Sequence, residues 1–183
     1  MFVISGPSGA GKGTVIALVR QRLARVVTSV SATTRAARPG EQEGREYSFM
    51  SRAAFAGGVA AGDFLEWVEY SGELYGTLRA EVDGKLARGD DVILEIELVG
   101  ARAVRKVLPE ATAIFIAPPS MAELSHRLRG RGTESDAAIA RRLSIAQTEV
   151  AAAGEFDHVV VNQDAERAAI AVAAIIEERR KGI

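Results

Sequence analysis

Short continuous apolar runs alternate along this chain with stretches whose apolar residues are spaced three or four apart. Phe2-Val3-Ile4 is a continuous run that stops at Ser5-Gly6, the pattern of a buried strand. Beyond the glycines, Val15, Leu18, Val19 and Leu23 recur at helical spacing, with Arg20, Gln21 and Arg25 among the polar positions. Val26-Val27 and Val30 predict a second strand ending near Ser31. The alternation resumes with a strand at Val92-Ile93-Leu94-Glu95-Ile96 and a short helix from about Ala101 to Val107. Ala113-Ile114-Phe115-Ile116 is another strand, closed by Pro118-Pro119, and an Arg-rich helical stretch runs from Met121 to about Ala153. Val159-Val160-Val161 is the last strand, and residues 165–180 form a terminal helix with Ile170, Ala173 and Ile176 on one face. Strands alternating with helices predict an α/β fold: a parallel central sheet covered on both faces, in three layers.

Between Ser31 and about Gly84 the character changes. The stretch is rich in Thr, Arg, Gly and aromatics, carries a Pro39-Gly40 turn signal, and holds Tyr47, Tyr70, Tyr75 and the single Trp67. It reads as a small insertion of strands and turns. The expected division is a core of residues 1–30, 84–120 and 150–183, an insertion at 31–83, and a separate Arg-rich segment at 121–149.

Composition narrows the chemistry. The chain has 183 residues, 23 basic and 24 acidic side chains and a formal charge of -1, which argues against broad nucleic-acid binding while leaving room for a local basic pocket. It has no cysteine, so disulfides, thiolate metal sites and a cysteine nucleophile are excluded. No apolar run approaches the ~20 residues of a membrane span, and no signal peptide is evident, so a soluble, cytoplasmic protein is expected. His126 and His158 lie far apart without metal-ligand spacing and read as structural or surface residues.

Gly6-Pro7-Ser8-Gly9-Ala10-Gly11-Lys12 follows the first strand and opens the first helix, meeting the G-x-x-x-x-G-K pattern of a phosphate-binding P-loop. Its glycines let backbone N–H groups turn around phosphate oxygens, the helix points its positive end at the same anion, and Lys12 adds a mobile charge. Gly13 stands where Ser or Thr would ligate Mg²⁺, so Thr14 is the candidate hydroxyl for the metal. The loop identifies nucleotide phosphate binding and says nothing of the acceptor.

The acceptor region is more specific. Ser29-Val30-Ser31-Ala32-Thr33-Thr34-Arg35, Arg38-Pro39-Gly40-Glu41, Gly44 and Tyr47-Ser48-Phe49 together resemble the nucleoside-monophosphate site of the guanylate kinase family. Phe64-Leu65-Glu66-Trp67, Tyr75-Gly76-Thr77, Pro118-Pro119-Ser120, Arg127-Leu128, Gly130-Arg131-Gly132-Thr133-Glu134, Arg142-Leu143 and Val161-Asn162 extend the resemblance, in the family's order, to about residue 163. It implies an inserted GMP-binding domain at 31–83 and a helical lid at 121–149. It also implies ATP-dependent phosphorylation of GMP, with dGMP as a second acceptor and Mg²⁺ as cofactor. Arg35, Arg38, Tyr47 and Tyr75 match the residues that hold the phosphate of GMP. Glu66 matches the carboxylate that accepts from guanine, and Ser31 and Thr77 the hydroxyls at the base edge. Adenine, with an acceptor at N1 and no 2-amino group, would leave that carboxylate unpaired. Arg131 and Arg142 match lid arginines, with Arg127 a weaker candidate. Asn162 matches a residue near the adenine of ATP, beside Gln163 in place of an aspartate.

Glu95 and Glu97, two apart at the end of the strongest strand, point to one face at the ligand end of such a sheet. The family usually carries aspartates there, one near Mg²⁺-bound water and one near GMP; Val99 stands where many relatives carry glutamine. Expected partners are GMP and ATP, with neither nucleic acid nor membrane, in a monomer or homodimer. Two alternatives stay open: another P-loop kinase such as a ribose-bisphosphate kinase, and a non-catalytic guanylate-kinase-like binding module.

Overall fold

In the computed structural model, which describes residues 1–70, 72–130 and 135–182, a parallel sheet of order β2-β7-β1-β8-β9 forms the centre. Its strands are β1 (Phe2–Ser5), β2 (Val26–Thr28), β7 (Asp91–Glu95), β8 (Thr112–Ala117) and β9 (His158–Val161). Alternation along β1 divides the apolar side chains between two cores. Phe2 and Ile4, with Ile93, Ile114 and Ile116, face α1 (Lys12–Arg22) and α7 (Ala165–Lys181). Val3, with Val92, Leu94 and Ile96, faces the other way, toward Ala101 and Val104 of α4 (Leu98–Val107) and Val82 of α3 (Arg79–Ala87). The sheet is therefore covered on both faces, as the alternating pattern predicts.

A second sheet, β4-β3-β6-β5, is built from β3 (Ala32–Thr33), β4 (Ser48–Phe49), β5 (Phe64–Tyr70) and β6 (Glu73–Leu78). With α2 (Arg52–Ala61) it has a small core of its own around Ala32, Phe55 and Phe64, where the two phenyl rings stack with centroids 4.4 Å apart. Opposite it stand α5 (Met121–Arg129) and α6 (Asp136–Ala151), packed on each other through Leu124, Leu128, Ile139 and Ala146.

Four departures from the sequence reading have physical causes. The second strand stops at Thr28, because the backbone N–H of Val30 turns to the Glu81 carboxylate at 2.8 Å instead of continuing the ladder. The insertion contains a helix, α2, which starts at a Ser51 cap accepting from Ala54 N–H and ends at Gly62 with φ 77°. The Arg-rich stretch is two helices, the second started by Ser135 accepting from Ala138 N–H. On α7, Ile170 is 54% exposed, and the buried face is Ala168, Ala169, Val172, Ala173 and Ile176.

Candidate active site

The carboxyl ends of β1, β2 and β7 open into a cleft of about 650 Å³, walled on its far side by β5 and β6 of the second sheet and on a third by α6. Ligand crevices of open parallel sheets lie at this end. A second hollow, of about 470 Å³, sits at the opposite end of the sheet, by Thr112 and His158, and touches none of the loop residues.

β1 delivers the chain directly into the glycine loop. Gly6 has φ 143°, and a Cβ there would strike the carbonyl of Ile116 on β8, so only glycine lets the loop start this close to the sheet. Gly9 packs against Leu124 and Leu128 of α5. Gly11 caps α1 in the left-handed region, with φ 87°. Pro7 accepts the N–H of Ala10 at 3.0 Å, closing the turn. Gly6, Ser8 and Lys12 line the cleft. Gly13 and Thr14 are exposed on the first turn of α1, and the Glu95 carboxylate lies 3.9 Å from where a Cβ on Gly13 would stand.

Lys12 donates from Nζ to the carbonyl of Gly6 at 2.5 Å. Burial lowers its pKa, while the charges of Glu95, Glu149 and Glu97, in that order, work to raise it. Glu95 and Glu149 are themselves pushed up, first by burial, with Lys12 opposing. The ammonium thus shares the cleft with carboxylates of the core and of α6.

Asn162 follows β9 and is 3% exposed. Its side-chain amide donates to the carbonyl of Ala10 at 2.7 Å, and its own carbonyl accepts from Arg127 at 3.1 Å. The residue matched to an adenine contact braces the loop from beneath, and α5 is tied to that brace.

On the insertion side, Arg38, Tyr47 and Tyr75 line the cleft, with the two phenol rings edge to face at 6.0 Å. Arg35, expected on the phosphate with them, is not among the residues that line the cleft. Its guanidinium forks onto Glu41 at 2.9 and 3.0 Å and lies over the Tyr47 ring at 5.3 Å. Glu41 also accepts the backbone N–H of Arg38 at 2.8 Å, and the hydrogen bond from Arg35 holds its carboxyl below the ordinary range. Burial pushes the Tyr47 phenol up.

Deeper in the wall is Glu66, only 6% exposed, whose Oε1 accepts the Thr77 hydroxyl at 2.7 Å. Burial raises its pKa, the Thr77 bonds lower it, and the charge of Glu97 raises it further. Strand alternation makes a solvent-facing glutamate the plain expectation. A register shift between β5 and β6 at Phe64–Glu66 breaks the alternation, so Phe64, Leu65 and Glu66 are all buried. Ser31 lines the same wall, and Glu97 precedes α4 at its rim.

Arg142 reaches the cleft from α6; Arg131 lies outside the described residues. Sequence reasoning did not single out Glu149, Tyr70, Arg45, Glu46 or Gly100, all of which line the cleft. Glu149 had a usable signal: it follows Arg142 by seven positions and Ile145 by four, the spacing of one helix face.

A family profile described as Guanylate kinase matches residues 1–179. The chain belongs to the guanylate kinase family. The guanylate kinase of Thermosynechococcus vestitus is 53% identical over 176 residues, covering 96% of this chain and 92% of the relative. That of Nocardia farcinica is 54% identical over 166 residues, covering 90% and 86%. The crystal structure of guanylate kinase from Anaplasma phagocytophilum superposes with a TM-score of 0.76 at 32% identity, covering 98% of this chain and 85% of that one. A shikimate kinase from Bacteroides thetaiotaomicron, at 13% identity and a TM-score of 0.53, shares the fold. Among the described residues no helix is long and apolar enough to cross a membrane.

Proposed function

We propose that the protein transfers the γ-phosphoryl group of ATP to GMP, giving ADP and GDP. Family membership supports the reaction, and one observation carries the choice of base. A buried carboxylate, Glu66, paired with the Thr77 hydroxyl, stands on the wall of the same cleft that holds the Lys12 loop. An ionised carboxylate is an acceptor only, which suits the N1–H and 2-amino donors of guanine and leaves adenine unmatched.

ATP lies with its phosphates in the loop, where backbone N–H groups and Lys12 hold them. Arg38, Tyr47 and Tyr75 hold the phosphate of GMP, with Arg35 and Glu41 fixing Tyr47 and Arg38 from behind. Ser31, Glu66 and Thr77 hold the base, and Glu97 is placed for the sugar–base side. A phosphate monoester dianion is already a nucleophile: its oxygen attacks the γ-phosphorus, the bond to the bridging oxygen breaks, and ADP departs. Catalysis is then positioning and charge stabilisation, to which Arg142 and Arg131 contribute from the lid.

Mg²⁺ fits the donor set. The side chains by the loop offer hard oxygens, the Glu95 carboxylate beside Gly13 and the exposed Thr14 hydroxyl on the first turn of α1. Such a site suits an ion that arrives on the phosphates and keeps much of its water. Glu95, with Thr14 as the hydroxyl candidate, would hold it, and when bound it neutralises charge on the donor phosphates. A cytoplasmic location belongs to the same proposal.

A coupled ADP-release assay over GMP, AMP, UMP and dTMP tests the assignment. Turnover with GMP far above the others is expected; equal rates with AMP would sink it. Activity on a ribose bisphosphate, or none on any nucleotide, would favour the alternative kinase or the binding-module reading.

A further inference from the structure

The Glu66 carboxylate is confined from two sides. Oε1 takes the Thr77 hydroxyl at 2.7 Å. Oε2 rests against the first turn of α4, so close that a Cβ built on Gly100 would stand 2.8 Å from Oε2 and 3.3 Å from Cδ. Real side-chain carbons do not approach a carboxylate oxygen to 2.8 Å. The backbone itself does not require glycine here. Gly100 lies inside α4 and is absent from the positive-φ glycines, and glycine weakens a helix interior relative to alanine. What the position requires is empty space beside Glu66.

We infer that Gly100 is a specificity-determining residue for the nucleobase: by presenting no side chain, it lets the Glu66 carboxylate lie flat against α4 and stand where the guanine edge meets it. The inference rests on Glu66 being the guanine acceptor. Consider a methyl group added at position 100. Ile96, whose Cβ would lie 3.4 Å away, is locked in the core, whereas the carboxylate is the free end of a side chain. The carboxylate is therefore what yields. It swings toward the cleft, disturbs its bond with Thr77, and enters the volume of the base. It also leaves the first turn of α4, which has no side-chain cap and whose positive end favours an adjacent anion. The predicted signature is a damaged base site in an intact fold.

The test is a double-mutant cycle on the full chain: wild type, Gly100→Ala, Glu66→Ala and the double variant, with KM for GMP and for ATP, kcat, and melting temperature measured for each. Losing a charge-assisted hydrogen bond predicts a KM for GMP raised roughly 10- to 100-fold in Gly100→Ala, with KM for ATP within about twofold of wild type. The double variant is expected to bind GMP no worse than Glu66→Ala alone, because the methyl acts only through the Glu66 side chain. An unchanged KM for GMP in Gly100→Ala overturns the inference, and so do additive losses in the double variant. A Gly100→Ala protein that melts far below wild type or weakens ATP equally also overturns it, since the glycine would then serve the helix and not the base. If Glu66→Ala itself leaves KM for GMP unchanged, the guanine assignment of Glu66 fails first, a result distinct from the other three.

Discussion

At the loop end of the cleft the backbone makes the site, whereas at the insertion end side chains make it. Gly6 and Gly11 hold positive-φ conformations against β8 and Asn162, and Asn162 in turn holds Ala10. The loop's shape is thus fixed by close approach to the main core, and its only mobile charge is Lys12. The insertion end has few backbone devices. It relies on Arg35 clamped to Glu41, the Tyr47–Tyr75 pair, and Glu66 held between Thr77 and α4. A backbone cradle recognises any phosphate chain; a carboxylate seated on a hydroxyl recognises one base edge. The first explains why such loops occur with many acceptors, and the second why acceptor choice rests on a handful of side chains.

The sharpest way to break the comparison is at Lys12. Lys12→Ala removes the one side-chain charge of the cradle, and kcat is expected to fall about 10³-fold or more, with a much smaller change in KM for GMP. A variant that kept a tenth of its turnover would show that the backbone alone suffices. Glu66→Ala comes next: KM for GMP is expected to rise about 100-fold while KM for ATP barely moves. The same residue gives a pH test. Guanine needs the ionised carboxylate, and burial raises its pKa. As pH falls through that raised value the group takes up a proton, so KM for GMP should climb at mildly acid pH while KM for ATP climbs less. In Glu66→Gln that acid limb should disappear; its persistence would assign the titration to another group.

The loop was legible in the sequence because its physics is local: a strand, glycines at fixed spacing and a helix lie within a few residues of one another. The alternating layers were legible for the same reason, each apolar run reporting its own burial. Helix α2 was not, because Ala53, Ala54, Ala56 and Ala60 make no apolar stripe, Gly57-Gly58 reads as a turn, and only Phe55 is buried. The burial of Glu66 was equally hidden, since it depends on a register shift between two strands. Its importance came from resemblance and not from pattern. Gly100 and Glu149 gain their meaning from neighbours far along the chain, Glu66 and Lys12, and no local spacing announces such a pairing.

Glu149 gives the smallest and most delicate expected effect. It reaches the loop from α6, is 9% exposed, and its carboxyl is raised first by burial, with Lys12 pulling it down and Glu97 pushing it up. A carboxyl whose pKa is higher in the folded chain than in the unfolded one is a cost at neutral pH, relieved as pH falls through the raised value. Glu149→Gln keeps the shape and removes that cost. Its melting temperature without nucleotide should therefore exceed wild type by about 1 to 3 °C near pH 7, and the gap should close toward the ordinary glutamate range, around pH 4. A variant that melts lower at neutral pH would mean that the attraction to Lys12 outweighs burial. The loop end would then owe part of its stability to a side-chain charge pair, and the contrast between the two ends of the cleft would narrow.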